Sequence, residues 1–477
     1  MALTLALLEG GSFFVAVSAM IFLWTDPFSL ERSDVLVVLR QAFGLALCCI
    51  IAFYYNDLYD FRIARTFAHF ASRLMRALGV AFILVAIFYA LVPDARIAGG
   101  LFISSFVIVI GLLLPLRALS YAILRSRLFM ERVLILGTSE LTVKLIQEIE
   151  AQPHCRYAVV GVVDDLNRHD EFPPSIPLRG PLEQLETIIE ELRPHRIVVA
   201  LAERRGQLPY RQLLEARVRG IPVEDGAEMY ERLTGKLAIE SLTPSYLTYS
   251  KDFKKARLEL AASRALSLLF SVVALVTLAP LLALIALAIK LDSRGPLFIV
   301  QDRVGMRGKP FTLVKFRTMH PVANESSVWF QDNSARVTRV GRWLRKFRLD
   351  EIPQCLSILR GDLNLVGPRP HRVPKFELFA TQIPYFSLRS MVPPGLTGWA
   401  QVRHGYASNL EEEIEKVRYD LYYIKHLSLG LDLRILFDTV KIVLRGRGSA
   451  ASPHDRPIIL GPTNGHPASR LERIAPK

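Results

Sequence analysis

Four stretches, near residues 7–24, 36–55, 74–92 and 101–124, are apolar on every face, and each is long enough to cross a hydrocarbon layer of ~30 Å. Helices of a soluble core keep a polar face for water; these runs lack one and predict a four-helix transmembrane bundle over 1–129. Arg62, Arg65, Arg73 and Arg76 lie between the second and third runs, and Arg125, Arg127 and Arg132 follow the fourth. The other two loops carry mainly Arg32 and Arg96, so the positive-inside bias places both ends of the bundle in the cytoplasm.

After Arg132 the pattern changes to short β-branched runs alternating with amphipathic stretches: Val133 to Leu136, Ala158 to Val163, and Ile197 to Ala200. This predicts a small parallel, Rossmann-like α/β domain over 130–245. Its first turn, Gly137-Thr138-Ser139-Glu140-Leu141-Thr142, keeps one glycine of a dinucleotide fingerprint and lacks the other two. Asp164 and Asp165 end the second strand, where a ribose-binding acid could sit; a nucleotide site and a purely structural shell both stay open.

A fifth apolar run, Ala265 to Ile289, has basic residues on both flanks: Lys251, Lys254, Lys255, Arg257 and Arg264 before it, Lys290 and Arg294 after it. A spanning helix would send one basic cluster across the membrane, whereas a helix that enters and returns keeps both on the cytoplasmic side. Pro280 removes a helix hydrogen bond inside the run and supplies a break. The segment 246–292 therefore reads as a linker and a proline-broken re-entrant membrane helix, with a plain kinked span as the alternative.

The composition agrees with a chain partly in lipid: 51% of the 477 residues are hydrophobic, and mean hydropathy is +0.28. A net charge of +14 suits nucleic acid, an anionic membrane or phosphorylated substrates. The basic residues are spread along the chain and flank apolar runs, without a finger, RNP or helix-turn-helix pattern, which argues against nucleic acid as a partner. The four cysteines, Cys48, Cys49, Cys155 and Cys355, form no CxxC pair, and the histidines show no HxxxH or HExxH spacing, so neither a redox motif nor a zinc site is expected.

Residues 293–450 hold the candidate chemistry, and 451–477 read as a C-terminal tail. Pro310 to Val314 alternates like a strand and leads into Lys315-Phe316-Arg317-Thr318-Met319. If the strand continues, Lys315 and Arg317 share one face, as a cationic platform or as a solvated edge. In Arg345-Lys346-Phe347-Arg348-Leu349-Asp350-Glu351-Ile352-Pro353-Gln354, Pro353 fits only a first turn and so sets the acidic pair at a helix N-terminus. Consecutive residues do not share a helix face, so the two acids are expected to differ in role unless they merely cap the helix. Leu363-Asn364-Leu365-Val366-Gly367-Pro368-Arg369-Pro370 stiffens the backbone around Arg369, and Pro393-Pro394-Gly395-Leu396-Thr397-Gly398-Trp399-Ala400-Gln401 is a second stiff turn. Trp399 either stacks on a base or covers a core.

The order KFRTM, LDEIPQ, LVGPRP, PGLTGWAQV and Tyr419-Asp420-Leu421-Tyr422-Tyr423 resembles the monotopic phosphoglycosyl transferases, or bacterial sugar transferases, over about 264–445. The four helices and Rossmann-like domain ahead of it are similar to the large members that initiate exopolysaccharide or O-antigen synthesis. The resemblance implies an α+β catalytic domain in which Asp350 is the nucleophile that takes the phosphosugar and Glu351 helps bind Mg2+. It further implies that Lys315, Arg317, Arg345 and Arg369, with Arg303 beside them, line the substrate's phosphate cleft. The implied substrates are a UDP-sugar and undecaprenyl phosphate, with UMP released, at the bacterial inner membrane with the catalytic domain cytoplasmic; a homodimer is admitted. Many members have Ser or Thr where this chain has Arg348, and some have Ser where it has Ala279, which bears on sugar preference and on the kink. Two other readings remain at this point: a non-catalytic membrane scaffold, and a nicotinamide-dependent enzyme built on the middle domain.

Overall fold

The computed structural model describes residues 2–24, 32–56, 58–59, 67–95, 99–125, 130–151, 156–165, 177–201, 208–242, 257–320, 336–405, 407 and 409–444. Arg62, Arg65, Arg127, Lys251, Lys254, Lys255, Cys155 and the 451–477 tail, all used above, lie outside them. The chain forms two compact units, Met1–Met229 and Tyr230–Lys477.

The first unit opens with four helices, α1 (Ala2–Trp24), α2 (Arg32–Tyr55), α3 (Phe67–Leu91) and α4 (Gly99–Arg125). Leu5–Trp24, Val35–Tyr55 and Arg73–Leu91 are long and apolar enough to cross a membrane; Phe102–Arg117 of α4 is a shorter apolar length. Phe13, Val17, Leu45, Phe53, Ala77, Val109 and Leu113 form the core between them, while Leu7, Val15, Met75 and Val107 face outward, the pattern of helices whose solvent is lipid. One ion pair is sealed inside. Arg117 lies 2.7 Å from Glu9, both under 2% exposed, donates to the Leu58 carbonyl at 2.9 Å, and stands over the Tyr59 ring. Charges so far from water are tolerated only when paired in this way.

The same unit continues into a four-stranded parallel sheet, ordered β2-β1-β3-β4: β1 (Glu131–Leu136), β2 (Tyr157–Val163), β3 (Arg196–Val199) and β4 (Val223–Asp225). Helices α5 (Glu140–Ala151), α6 (Leu185–Leu192) and α7 (Tyr210–Val218) connect the strands, the right arrangement for β-branched runs buried on both faces. Gly137, at the first turn, has φ +104°, and a Cβ there would stand 2.7 Å from the Leu201 backbone.

Helix α8 (Gly226–Thr234) straddles the division between the units. From Tyr230 to Leu242 the chain packs on the second unit: Leu237, Ile239 and Leu242 enter the same core as Ile358, Phe379, Trp399 and Val417. Lys425 meets Glu231 at 2.7 Å, the Leu237 amide donates to the Arg418 carbonyl at 3.1 Å, and Arg418 pairs with Glu240. The two compact units divide at Met229/Tyr230, while residue 245, the boundary expected from the sequence, lies outside the described residues.

Helix α9 (Arg257–Asp292) runs 36 residues through Pro280 as one element, so the expected break does not interrupt it. At 1.5 Å per residue it is about 54 Å long if straight. Both of its ends dock on the second unit. In the first half Ser263, Ser267 and Ser271, four residues apart, form a buried polar stripe: Ser263 donates to Asp432 at 2.6 Å, and Ser267 Oγ accepts the Leu365 amide at 3.0 Å. Arg264 donates to the carbonyls of Ile358 and Leu363 at 2.6 and 3.0 Å. In the second half Ile285 and Ile289 pack on Phe316 and Leu344, and Asp292 accepts the Val340 amide at 3.0 Å. Between these moorings Val273, Val276, Leu281 and Leu284 stand exposed.

The rest of the second unit is α+β. Strands β5 (Phe298–Val304) and β6 (Pro310–Phe316) form an antiparallel hairpin. Helix α10 (Arg339–Lys346) leads through a 3-10 turn, Leu349–Gln354, into α11 (Cys355–Arg360). Strand β7 (Asn364–Val366) pairs in parallel with β8 (Gly395–Thr397), separated in the chain by α12 (Val373–Gln382); α13 (Trp399–Arg403), α14 (Leu410–Lys425) and α15 (Leu429–Leu444) close the domain.

Candidate active site

The acidic pair sits where α10 ends. Arg348 adopts φ 53°, a left-handed conformation that non-glycine residues rarely take, and the turn it makes swings Asp350 and Glu351 under the β5–β6 hairpin. Pro353 lies inside the 3-10 turn, ahead of α11, which is why the pair stands before a helix. Both acids are nearly buried, at 8% and 9% exposure.

Three cations face them, and a fourth, Arg303, stands beside the third. Arg369 donates to Glu351 Oε1 at 2.7 Å, and Arg348 Nη1 lies 3.7 Å from Glu351 Oε2. Lys315, inside β6, interacts electrostatically with Asp350, Glu351, Arg303 and Arg369. Burial pulls its ammonium below the ordinary range, with Arg303 and Arg369 adding to that and the two acids opposing. Arg303, on β5, is held by Gln301 at 2.7 Å and the Pro370 carbonyl at 3.1 Å.

The two acids are driven apart. Burial and the neighbouring Glu351 charge push Asp350 up to about 6, against Lys315 and Arg369. Burial would raise Glu351 too, but Arg369, Arg348 and Lys315 outweigh it and hold it well below the usual carboxylate range. Such a pair titrates as a unit in which Glu351 gives up its proton first.

Two expected residues stand elsewhere. Arg317 lies just past the end of β6, so strand alternation does not carry it to the face of Lys315. Its guanidinium, 2% exposed, donates to the Ser293 and Arg294 carbonyls at 2.7 and 2.9 Å and caps the exit from α9. Arg345 sits half-buried in the last turn of α10, and the guanidinium that reaches Glu351 from this stretch is that of Arg348, which the spacing had not marked.

The two stiff turns are one structure. A Cβ on Gly395 would lie 2.0 Å from the Gly367 amide nitrogen, and one on Gly398 would lie 2.2 Å from the Gly367 carbonyl, so β7 and β8 meet backbone to backbone. That junction fixes the base of the loop bearing Arg369. Trp399 is buried at 2%, donates to the Gly235 carbonyl at 2.9 Å and stacks on Tyr422; it covers the core and is not a platform for a base.

In the middle domain the candidate acids are spoken for. Asp164 Oδ2 accepts the Thr138 amide at 2.6 Å and the Thr138 hydroxyl, and Asp165 accepts the Leu182 amide at 2.7 Å. Ser139 donates across to the Ala200 carbonyl at 2.6 Å, tying the first turn to the end of β3.

Among the described residues no three His, Cys, Asp or Glu side chains gather as a metal site. Asp350 and Glu351 offer carboxylate oxygens next to the cations, and one or two carboxylates completed by substrate phosphates is a usual setting for Mg2+.

The structure thus places an acid pair beside cations on a domain moored to a long apolar helix. The profile of the bacterial sugar transferase family matches residues 258–446, and that of a CoA-binding domain matches residues 55–208. The UDP-N-acetylgalactosamine-undecaprenyl-phosphate N-acetylgalactosaminephosphotransferase of Aeromonas hydrophila is 38% identical over 240 residues, 50% of this chain and 56% of the relative. The UDP-glucose:undecaprenyl-phosphate glucose-1-phosphate transferase of Escherichia coli K12 is 33% identical over 304 residues, 62% of this chain and 64% of the relative. A protein of the same name from Caulobacter vibrioides is 43% identical over 196 residues, 40% of this chain and 70% of the relative. The chain belongs to the bacterial sugar transferase family, and it spans somewhat over half the length of the first two relatives.

Proposed function

We propose that the chain transfers a sugar 1-phosphate from a UDP-sugar to undecaprenyl phosphate, releasing UMP, through a covalent phosphosugar on Asp350. The observation that carries this reading is the geometry of the pair: both acids are nearly buried, Arg369 and Arg348 stand 2.7 and 3.7 Å from Glu351, and in that setting burial pushes Asp350 up while the cations hold Glu351 down. A buried carboxylate of raised basicity is a better nucleophile than a solvated one and is still ionised at neutral pH. Its oxygen attacks the sugar-bearing phosphorus, the bond to the UMP oxygen breaks, and an acyl phosphate forms. The undecaprenyl phosphate oxygen then attacks the same phosphorus and Asp350 leaves as carboxylate.

Lys315, Arg348 and Arg369, with Arg303 beside Lys315, supply positive charge where the two phosphates of the donor would meet the acids. Like charges ~4 Å apart repel by on the order of 4 kcal/mol at an effective dielectric of about 20, so this ring makes the approach feasible. Glu351, with Asp350 beside it, would hold Mg2+, which when bound neutralises phosphate charge. The relatives' names support undecaprenyl phosphate as acceptor and a UDP-sugar as donor.

The membrane arrangement belongs to the same reading. A continuous helix can enter the cytoplasmic leaflet and return only by bending, and in this reading α9 bends at Pro280, which its two docked ends and exposed apolar middle support. The acids then lie at the inner-membrane interface, on the side of cytoplasmic UDP-sugars.

The test is to incubate the purified full chain in lipid nanodiscs with a panel of UDP-sugars and Mg2+, without acceptor, and to measure intact mass. One UDP-sugar is expected to add one hexose- or acetylhexosamine-phosphate, lost when undecaprenyl phosphate is supplied. Transfer without any adduct, with strictly ternary-complex kinetics, would remove Asp350 from the role of nucleophile.

A further inference from the structure

Behind Arg369 lies a second charged cluster that neither the acid pair nor the cation ring uses. Arg389, 5% exposed, sits in the 3-10 turn Phe386–Met391. Its guanidinium lies 2.6 Å from Asp420 Oδ2, donates to the Arg369 carbonyl at 3.2 Å and reaches His371 Nδ1 at 2.9 Å. A guanidinium has only donors, so Nδ1 accepts and the proton of His371 is on Nε2, which donates to Glu413 at 2.8 Å. Glu413 and Asp420, both on α14, are 0% and 1% exposed. Burying this many charges for shape alone is costly, since apolar side chains of similar volume fill such space at least as well.

The segment these groups grip is Arg369-Pro370-His371, caught at one end by its backbone and at the other by its imidazole. Arg389 and the segment it grips line a cavity together with Gly305, Pro368 and Pro394, which leaves the loop room to shift if that grip is lost. The Arg369 side chain meanwhile must keep its 2.7 Å bond to Glu351.

We propose that Arg389, anchored by Asp420, is a positioning residue of the site: it holds the Arg369-to-His371 segment from behind so that the Arg369 guanidinium meets Glu351 and the donor's phosphates. This rests on the reading of Asp350 and Glu351 as the catalytic pair. A residue acting through Arg369 has no effect once Arg369 is gone, whereas a generally structural residue still does.

The experiment is a double-mutant cycle in the full chain in nanodiscs, with wild type, Arg389→Gln, Arg369→Ala and the double variant. Each is measured for kcat and KM with the accepted UDP-sugar, and for UDP affinity by calorimetry in the presence of Mg2+. Arg389→Gln is expected to lower kcat/KM by about 100-fold, the effect of a misplacement of about 1 Å, and to weaken UDP binding. In the Arg369→Ala background the same change is expected to cost less than about threefold in either quantity. Equal losses in both backgrounds would overturn the proposal. Should Arg389→Gln fail to fold because Asp420 is left unpaired, the apolar pair Arg389→Met with Asp420→Leu serves instead. It is expected to fold and to lose the same activity and UDP affinity, and a folded variant with wild-type values would overturn the proposal equally. Coupling seen in UDP affinity without any covalent adduct would reject the Asp350 mechanism and leave the positioning role standing. An adduct with additive losses would do the reverse.

Discussion

At the site, Asp350 carries a cost that substitution can expose. A carboxyl raised from 3.8 to about 6 contributes stability that is fully present below pH 3.8 and is lost as pH climbs through 6. Asp350→Asn never ionises and so avoids that loss. It is expected to make no adduct and no product, yet to unfold at higher temperature than wild type at pH 8, by on the order of 2 kcal/mol, with the difference vanishing near pH 4. Thermal unfolding at the two pH values checks it; a variant no more stable at pH 8 contradicts the buried, uphill Asp350. Activity should rise as pH passes 6 for the same reason. A second comparison separates neighbouring arginines. Arg348→Ala removes a charge 3.7 Å from Glu351 and is expected to lower kcat/KM by about tenfold or more, while Arg345→Ala costs less than about threefold. Equal losses would restore Arg345 to the cleft. The sequence singled out the acid pair, Lys315 and Arg369 only through the motif order that carries the family resemblance, since residue type and spacing alone left a capping turn and a solvated strand open. It did not make Arg348, Arg317 or the Arg389 cluster legible: a left-handed turn, the end of a strand and pairings between groups 18 to 42 positions apart are decided by tertiary packing.

Among the elements, the helices and parallel strands were the most legible, because their signal is periodic and local: β1 begins two residues before Val133, and β2 one residue before Ala158. The fifth apolar segment was legible as membrane-seeking, but its serine stripe was hidden. Ser263, Ser267 and Ser271 look like tolerated small residues until the domain that binds them is in place. That stripe argues that the first half of α9 lies along protein, and the apolar middle along lipid. Leu258 and Leu291, 80% and 78% exposed, mark the two ends of α9. Single Leu258→Cys and Leu291→Cys variants in sealed inverted vesicles are expected to react equally with an impermeant maleimide added outside. Reaction of one alone would make α9 a spanning helix and defeat the re-entrant reading.

For the molecule as a whole, the segment Tyr230–Leu242 decides where a working part can be cut. A fragment from Lys251 onward keeps every motif of the site but leaves the Trp399 N–H without Gly235, and Lys425 without Glu231. Removing Leu237, Ile239 and Leu242 strips apolar cover from the domain core, at roughly 1.5–3 kcal/mol for each fully buried side chain. A fragment from Tyr230 is therefore expected to retain transfer and a cooperative thermal transition, and one from Lys251 to unfold at least about 10 °C lower or to aggregate. Matching stability of the two would show the strap to be dispensable. The ion pair in the first unit speaks instead to how the chain is made. Glu9 lies 108 positions before Arg117. At about 5–20 residues per second the ribosome needs roughly 5–20 s to deliver that partner. Through that interval the Glu9 carboxylate lacks its partner and must be sheltered by other means, such as a place beside the insertion machinery, so the N-terminal bundle can close only after its last helix has been synthesised.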